Sequence, residues 1–258
     1  MNLYAFPEFS RRFQPIWQRN FLVWKKLAVA SVLGNIADPL ITLLAFGYGL
    51  GSLLKEVDGV PYIHYLASGS ICMSIMWAAS FEALYSAFSR MHVQKTWDAL
   101  LNAPLALDDV ILAEMLWAAT KSIFSGVAIL LVMFCLGIGL HPHTVLVLPL
   151  LFLIGMTFGS LGLVFNALAR GYDFFTYYFT LVLTPMIFLS GVYYPSAQLP
   201  GWLQMVAHIL PLNAAVNLVR PLLLGTWPTT PITDLTILAA YCCVGFYAAV
   251  VLTRRRLL

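Results

Sequence analysis

The sequence predicts an all-α integral membrane protein with six transmembrane helices, an N-terminal amphipathic interfacial helix, and short outer helices between spans five and six. Of its 258 residues, 61% are hydrophobic and only 10% are charged, whereas soluble domains carry about 25% charged residues. Long stretches lack any Asp, Glu, Lys or Arg, and the basic residues are distributed unevenly between these stretches. So few charges cannot cover a water-facing surface of this size. A soluble enzyme and a nucleic-acid binder are therefore excluded.

Charge-free stretches delimit the spans, because a membrane-crossing helix needs about 20 mainly apolar residues. The stretches 59–81 and 235–253 each hold one helix, and 122–169 holds two helices separated by a turn at 141–143. Prolines at 195 and 200 end the fifth span. The six predicted spans are 27–52, 62–86, 110–139, 145–168, 173–194 and 232–253.

Three segments flank these spans within a single transmembrane domain. In 1–26, aromatic residues fall on one helical face and charged residues on the other, which predicts an element in the headgroup plane that Pro15 interrupts. The segment 195–231 is apolar but rich in proline, which predicts one or two short helices on, or dipping into, the outer face. Residues 254–258 form a basic tail after the six-helix bundle of 27–253.

The orientation follows from the basic residues, which concentrate on the cytoplasmic side of bacterial membrane proteins. An even number of spans places both termini on one side, and that side collects most of the lysines and arginines. These are Arg11, Arg12, Arg19, Lys25, Lys26, Arg90, Lys95, Arg170, Arg254, Arg255 and Arg256. The opposite side receives Lys55 and Arg220. Both termini are therefore predicted to be cytoplasmic.

The sequence lacks the motifs of common enzymes. There is no GxxxxGK(S/T) phosphate-binding loop, no HExxH and no GxSxG. The four cysteines form no CxxC pair and lie in apolar runs, as buried packing residues do. We therefore expect no catalytic residue, metal site or cofactor in this chain.

Polar residues inside the spans are the candidates for function, because a charge in the bilayer is costly unless it is paired or wetted. Asp38 lies in the first span with Asn35 nearby and Pro39 next to it. Two interpretations stay open: these side chains line a substrate path or subunit interface, or they satisfy backbone groups that the proline frees. Tyr177 and Tyr178 belong either to an interfacial aromatic belt or to such a path.

Two further features concern helix contacts. Lys121 lies in the first part of the third span, and Glu82 lies near the inner end of the second. We predict that these two side chains form an intramembrane ion pair. Gly155 and Gly159 form a GxxxG pair that predicts close helix packing, either within one chain or between two.

Four segments carry a resemblance to a known family. They read GNIADPLITLLAFGYGLG (34–51), RMHVQKTWDALLNAPLALDDVILAE (90–114), TLVLTPMIFLSGVYYPSAQLPGWLQ (180–204) and HILPLNAAVNLVRPLLLG (208–225). Together they resemble the membrane subunits of type 2 ABC exporters and, within these, NodJ-like permeases that export lipo-oligosaccharides. The resemblance covers essentially the whole chain.

The resemblance implies a permease of the bacterial inner membrane that works as a homodimer among membrane lipids. Two copies of a separate cytoplasmic ATPase would carry ATP and Mg, which agrees with the absence of a phosphate-binding loop here. A coupling helix that docks on the ATPase would fall within 90–104. The candidate coupling residues are Lys95, Trp97, Asp98, Leu100 and Leu101. Pro104 would end this helix, and Asp108 or Asp109 would cap the next one.

Two other functions remain as alternatives. A stand-alone secondary transporter or channel is disfavoured because Asp38 is the only charge near the predicted midplane and no two-half repeat is seen. An intramembrane enzyme acting on lipids is disfavoured because no catalytic constellation is present. The substrate class implied by the resemblance is an amphipathic lipo-oligosaccharide, glycolipid or lipid-like drug.

Overall fold

The computed structural model describes residues 3–8, 10–54, 56–103, 105–139 and 141–257, without the side chains at positions 32, 35, 36, 38 and 39. Its helices are α1 (Phe13–Lys25), α2 (Ala28–Gly49), α3 (Tyr62–Phe81), α4 (Thr96–Leu101), α5 (Leu107–Cys135), α6 (Val147–Leu168), α7 (Asp173–Tyr177), α8 (Thr184–Leu189), α9 (Gly201–Ile209), α10 (Pro211–Leu223) and α11 (Pro231–Leu257). The strands β1 (Glu56–Val57) and β2 (Val60–Pro61) form a small antiparallel hairpin between α2 and α3. The predicted all-α class is confirmed.

Four continuous helical stretches in the described part are long and apolar enough to cross a membrane. They are Tyr62–Val93, Leu107–Cys135, Pro142–Leu168 and Pro231–Leu257. The apolar stretches Leu40–Ser52 and Asp173–Leu189 are shorter. The helices α9 and α10 meet at an angle of 83° and would add a fifth, broken span if they are counted as one. The number six therefore stays a prediction.

Helices α3, α5, α6 and α11 pack around a common core, with α6 in contact with the other three. Gly155 and Gly159 of α6 face α5, and a Cβ at Gly155 would fall 2.9 Å from the Cα of Ala119. A Cβ at Gly159 would lie 3.2 Å from the Cβ of Ala118. The GxxxG pair therefore brings two helices together within one chain.

Helix α1 packs against α5 through aromatic side chains. The ring of Trp24 stacks on Phe124 with centroids 4.5 Å apart, and Trp17 Nε1 donates to Thr120 Oγ1 at 3.1 Å. Much of the predicted apolar face thus meets protein. Pro15 does not interrupt the helix, because it lies in the first turn of α1, where its missing N–H costs nothing.

Two boundaries differ from the sequence expectation. Helix α11 continues through Leu257, so the basic residues after 253 form its last turn, where Arg254 Nε bonds Asp108 Oδ1 at 3.0 Å. Neither Asp108 nor Asp109 caps α5, whose N-cap is Ala106. Asp109 instead accepts from the backbone N–H of Ser10 at 3.3 Å. Asp108 likewise accepts from the backbone N–H of Glu8 at 3.0 Å. Both carboxylates therefore hold the N-terminal segment to the start of α5, and the capping expectation is wrong.

Candidate functional site

The short helix α4 lies between the helical stretch Tyr62–Val93 and α5, and a buried indole anchors it. Trp97 is 1% exposed, and its Nε1 donates to Glu114 Oε1 at 3.2 Å. Lys95, which precedes the helix, has a φ of +49°, in the left-handed region that side chains rarely adopt. The chain therefore turns sharply into α4 and is fixed to α5 immediately afterwards.

Two buried carboxylates and two half-buried cations lie next to this anchor, and we call this group the charged cluster. It comprises Glu82, Arg90, Glu114 and Lys121, with the indoles of Trp97 and Trp117. Lys121 Nζ lies 2.6 Å from Glu82 Oε2, so the two residues that the sequence pairs are in contact. Arg90 joins the two carboxylates, with Nη2 2.9 Å from Glu82 Oε1 and Nε 2.9 Å from Glu114 Oε1.

The charges of the cluster balance. Glu82 and Glu114 are 2% and 1% exposed, and a carboxylate this deeply buried costs several kcal/mol when it is unpaired. Arg90 and Lys121 supply the two opposite charges, and Trp117 Nε1 adds a hydrogen bond to Glu82 Oε1 at 2.8 Å. Every carboxylate of the cluster therefore has both a charged and an indole partner.

The cluster joins three elements. Glu82 and Arg90 lie in two π-helical segments that continue α3, Glu82–Ser86 and Ser89–Val93. Glu114 and Lys121 lie on α5, and Trp97 on α4. π-Helical turns within α-helices occur often at functional sites. Helix α4 is therefore linked through Glu114 to α5, and through Arg90 to the π-helical continuation of α3.

Helix α1 borders the cluster across a cavity of about 220 Å³ lined by Arg19, Asn20, Arg90 and Lys121, among others. Arg19 donates to Asn20 Oδ1 at 3.3 Å and to Thr96 Oγ1 at 3.4 Å. Burial, followed by the charge of Arg90, lowers the pKa of Arg19. The N-terminal helix thus also contacts the start of α4.

The coupling candidates divide between the surface and the interior. Lys95 and Asp98 are exposed, Leu100 and Leu101 are half-buried, and Trp97 is buried. Lys95 and Asp98 are therefore available to a partner, whereas Trp97 could act on a partner only by positioning the helix. The coupling role of all five stays a prediction.

The remaining candidates are not brought together. Tyr177 is 61% exposed, whereas Tyr178 has no exposed surface and lies 3.3 Å from Ser80 through its hydroxyl. Tyr178 is thus enclosed by its own chain, and the path or interface role of both tyrosines stays a prediction. The side chains of Asn35 and Asp38 lie outside the described residues, so both interpretations of them stay open.

Sequence reasoning missed Arg90, Glu114 and Trp117 as cluster members, and it missed the interior contacts of another half-buried cation, Arg220. Arg220 was assigned only an outer-side charge, yet its Nε donates to Ser68 Oγ at 3.0 Å and its Nη2 to the Gly191 carbonyl at 2.8 Å. The guanidinium carbon lies 3.7 Å from the centroid of the Tyr65 ring. Its acceptors are mostly backbone carbonyls, and no sequence motif indicates which carbonyls will accept.

Within the described ranges, no group of three or more His, Cys, Asp or Glu side chains is placed to hold a metal ion. The clustered charges pair with each other, and they connect helices. The site is therefore a set of ion pairs and hydrogen bonds between helices.

Comparison with known proteins identifies the family. The ABC-2 type transporter family matches residues 11–224. Nodulation protein J of Rhizobium leguminosarum bv. viciae is 43% identical over 100% of both chains, and that of Sinorhizobium fredii strain NGR234 is 41% identical over 94% of this chain and 93% of the relative. The inner membrane transport permease YadH of Escherichia coli K12 is 24% identical over 90% of each chain. The chain therefore belongs to the ABC-2 type transporter family and is an exporter membrane subunit of that family.

Proposed function

We propose that two copies of this permease pair in the bacterial inner membrane and bind two copies of a separate cytoplasmic ATPase, which holds ATP and Mg. The assembly exports an amphipathic molecule such as a lipo-oligosaccharide or glycolipid. The family membership and the relatives named nodulation protein J support this proposal. The sequence contains no GxxxxGK(S/T) phosphate-binding loop, which agrees with an energy source on another chain.

The proposed membrane arrangement has six spans with both termini in the cytoplasm. Helix α2 has 22 residues, which at 1.5 Å per residue reaches about 33 Å and can cross the hydrocarbon layer of about 30 Å. The Asp173–Leu189 segment supplies the fifth span, extended by the turn that follows it. The uneven distribution of lysine and arginine supports this orientation.

The observation that carries the proposal is the anchoring of α4 to the charged cluster. A permease without its own ATP site must receive movement through a rigid contact with its ATPase. In the proposed orientation, Lys95 just before α4 and Asp98 within it face the cytoplasm. Trp97 ties the helix to Glu114. A push on α4 therefore reaches α5 directly and the inner end of α3 through Arg90.

The test is transport by the purified complex. The permease is co-expressed with a candidate ATPase from the same genome, purified through a tag on the permease, and reconstituted into vesicles with a fluorescent glycolipid. We expect the ATPase to copurify and transport to require ATP. Transport that proceeds without the ATPase and follows an imposed ion gradient would instead establish a secondary transporter.

The orientation has its own test. Single cysteines are introduced at Gln198 and Asp98 in a variant that lacks the four native cysteines, and intact cells are treated with a thiol reagent that cannot cross the membrane. We expect labelling at position 198 and none at 98 until the cells are opened. The reverse pattern would overturn the proposed orientation.

A further inference from the structure

The small cavity between helix α1 and the charged cluster, which we call the inner cavity, is lined by both cations and apolar side chains. Arg19, Arg90 and Lys121 supply the cations, and Val23 and Leu27 supply apolar surface. The volume of about 220 Å³ is smaller than the range of about 300–1,000 Å³ found for sites that enclose a whole small molecule. The inner cavity therefore suits one group of a larger, amphipathic molecule.

The lining of the inner cavity carries an excess of positive charge. Among its described residues, Arg19, Arg90 and Lys121 stand against the single carboxylate of Glu82. Glu114, which lies outside the lining, adds a second carboxylate through its ion pair with Arg90. Three cations therefore meet two carboxylates. The unbalanced charge belongs to Arg19, because Arg90 and Lys121 both take part in ion pairs.

Arg19 has weak partners for a half-buried cation. Within the part of the chain that the structure describes, no carboxylate forms an ion pair with it. Its hydrogen bonds to Asn20 Oδ1 and Thr96 Oγ1 measure 3.3 and 3.4 Å, whereas a guanidinium approaches an anionic oxygen to about 2.7–2.9 Å. Burial, followed by the charge of Arg90, lowers the pKa of Arg19. An anion in the inner cavity would supply the partner that Arg19 lacks.

Two of the cations keep donors that an anion can reach. Arg19 is half-buried, and the side chain of Lys121 is 18% exposed. A guanidinium has five N–H donors and an ammonium has three. In the described chain, Arg19 donates two hydrogen bonds and Lys121 donates one, to Glu82. The remaining donors match the oxygens of a phosphate group, which arginine binds through two parallel hydrogen bonds.

The apolar part of the lining favours a lipid phosphate over a free one. Val23 is 56% exposed and Leu27 is 67% exposed, and an acyl chain beside the phosphate would cover both. Basic pockets between helices at the cytoplasmic side of a membrane bind the headgroups of anionic lipids. A zwitterionic lipid would bring its own ammonium group toward three cations. The occupant that fits best is therefore a phospholipid with a net negative charge.

We propose that the inner cavity binds the phosphate of an anionic phospholipid from the inner leaflet, with Arg19 and Lys121 donating to its oxygens and an acyl chain lying against Val23 and Leu27. This lipid stays bound and holds α1 against the charged cluster. It is not the exported molecule, so the inference goes beyond the proposed function. Only the assignment to the inner leaflet uses the proposed orientation.

The test counts the lipids bound to the delipidated permease in maltoside detergent by native mass spectrometry. Phosphatidylglycerol and phosphatidylcholine with the same acyl chains are titrated separately, so the two titrations differ only in the headgroup. We expect one phosphatidylglycerol per chain, bound at least tenfold more tightly than phosphatidylcholine. We expect Arg19→Gln to reduce this preference about tenfold, because it removes charged hydrogen bonds to the phosphate. Arg19→Lys keeps the charge without the planar fork and should show an intermediate preference.

Arg11→Gln is the matched control, because it removes the same charge from an exposed arginine of the N-terminal segment that does not line the inner cavity. It should bind phosphatidylglycerol as the unmodified protein does. Inorganic phosphate and glycerol 3-phosphate, which have no acyl chain, should not displace the lipid at equal concentration.

Three results would each overturn the inference. The first is equal affinity for the two lipids. The second is a preference that Arg19→Gln and Arg19→Lys leave unchanged, or that Arg11→Gln reduces as much as Arg19→Gln does, since the lipid would then respond to the basic surface as a whole. The third is displacement by inorganic phosphate, which would show a site for free phosphate. The measurement involves neither the ATPase nor a transported substrate, so these results would leave the proposed function untouched.

Discussion

Two half-buried arginines, Arg90 and Arg220, satisfy their charges with different partners. Arg90 meets the carboxylates of Glu82 and Glu114 in the charged cluster. Arg220 meets backbone carbonyls, a serine hydroxyl and the ring of Tyr65. The first arrangement satisfies its members with opposite charges and locks helices together. The second ties α10 to α3 and to the turn after α8 through neutral acceptors.

The largest expected effect is at Glu82, on which three donors converge. Glu82→Lys places a third cation against Arg90 and Lys121, and disrupting a buried ion pair typically costs about 3–5 kcal/mol. We expect the variant to lose most of its monodisperse, folded protein when it is assayed by size exclusion after heating.

The double variant Glu82→Lys with Lys121→Glu is the control for this prediction. It restores opposite charges on α3 and α5, although Arg90 still loses one acceptor, so we expect partial recovery of folded protein and of transport. If the double variant is no better than Glu82→Lys alone, the contact between Glu82 and Lys121 contributes nothing.

Substitution of Arg220 tests the second arrangement, in which the arginine has neutral partners. Arg220→Leu removes the guanidinium donor from the Gly191 carbonyl and the Ser68 hydroxyl, although both keep their hydrogen bonds to Tyr65. Each lost hydrogen bond to the charged donor costs about 1.5 kcal/mol. We expect a lowered melting midpoint in detergent, and an intermediate midpoint for Arg220→Lys, which keeps the charge but lacks the planar fork. Equal midpoints for leucine and arginine would show that the carbonyl contacts add no stability.

The same contrast explains how far the sequence could lead. Lys121 was identifiable because a cation within a span needs an opposite charge, and Glu82 was the acidic residue at the matching depth. The partners of Arg220 were not identifiable, because every residue has a backbone carbonyl that could accept. Only the turn after α8 makes the Gly191 carbonyl available to it. The short helices after the fifth span followed from the proline pattern. Their 83° bend depends on tertiary packing, which no local pattern specifies.

A smaller effect is expected when only the link from α4 to the cluster is removed. Trp97→Phe keeps most of the buried ring but loses the hydrogen bond to Glu114, which is worth about 1.5 kcal/mol. We expect a folded complex that hydrolyses ATP while it transports less substrate per ATP. Trp202→Phe, at an indole that is 64% exposed, should retain full coupling. Unchanged coupling in Trp97→Phe would mean that this hydrogen bond does not transmit movement.

The smallest effect concerns Lys95, whose backbone and side chain make separable contributions at the entrance to α4. A side chain in the left-handed region costs about 1–2 kcal/mol, which glycine avoids, so Lys95→Gly should be more stable than Lys95→Ala by about 1 kcal/mol. Both variants remove the exposed ammonium. If Lys95 contacts the ATPase through its charge, both should weaken docking equally, as measured by titrating the ATPase onto the permease in nanodiscs. If its role is only to set the turn, Lys95→Gly should dock as the unmodified protein does. Equal docking by all three proteins would remove Lys95 from the proposed coupling surface and leave Asp98 as its charged member.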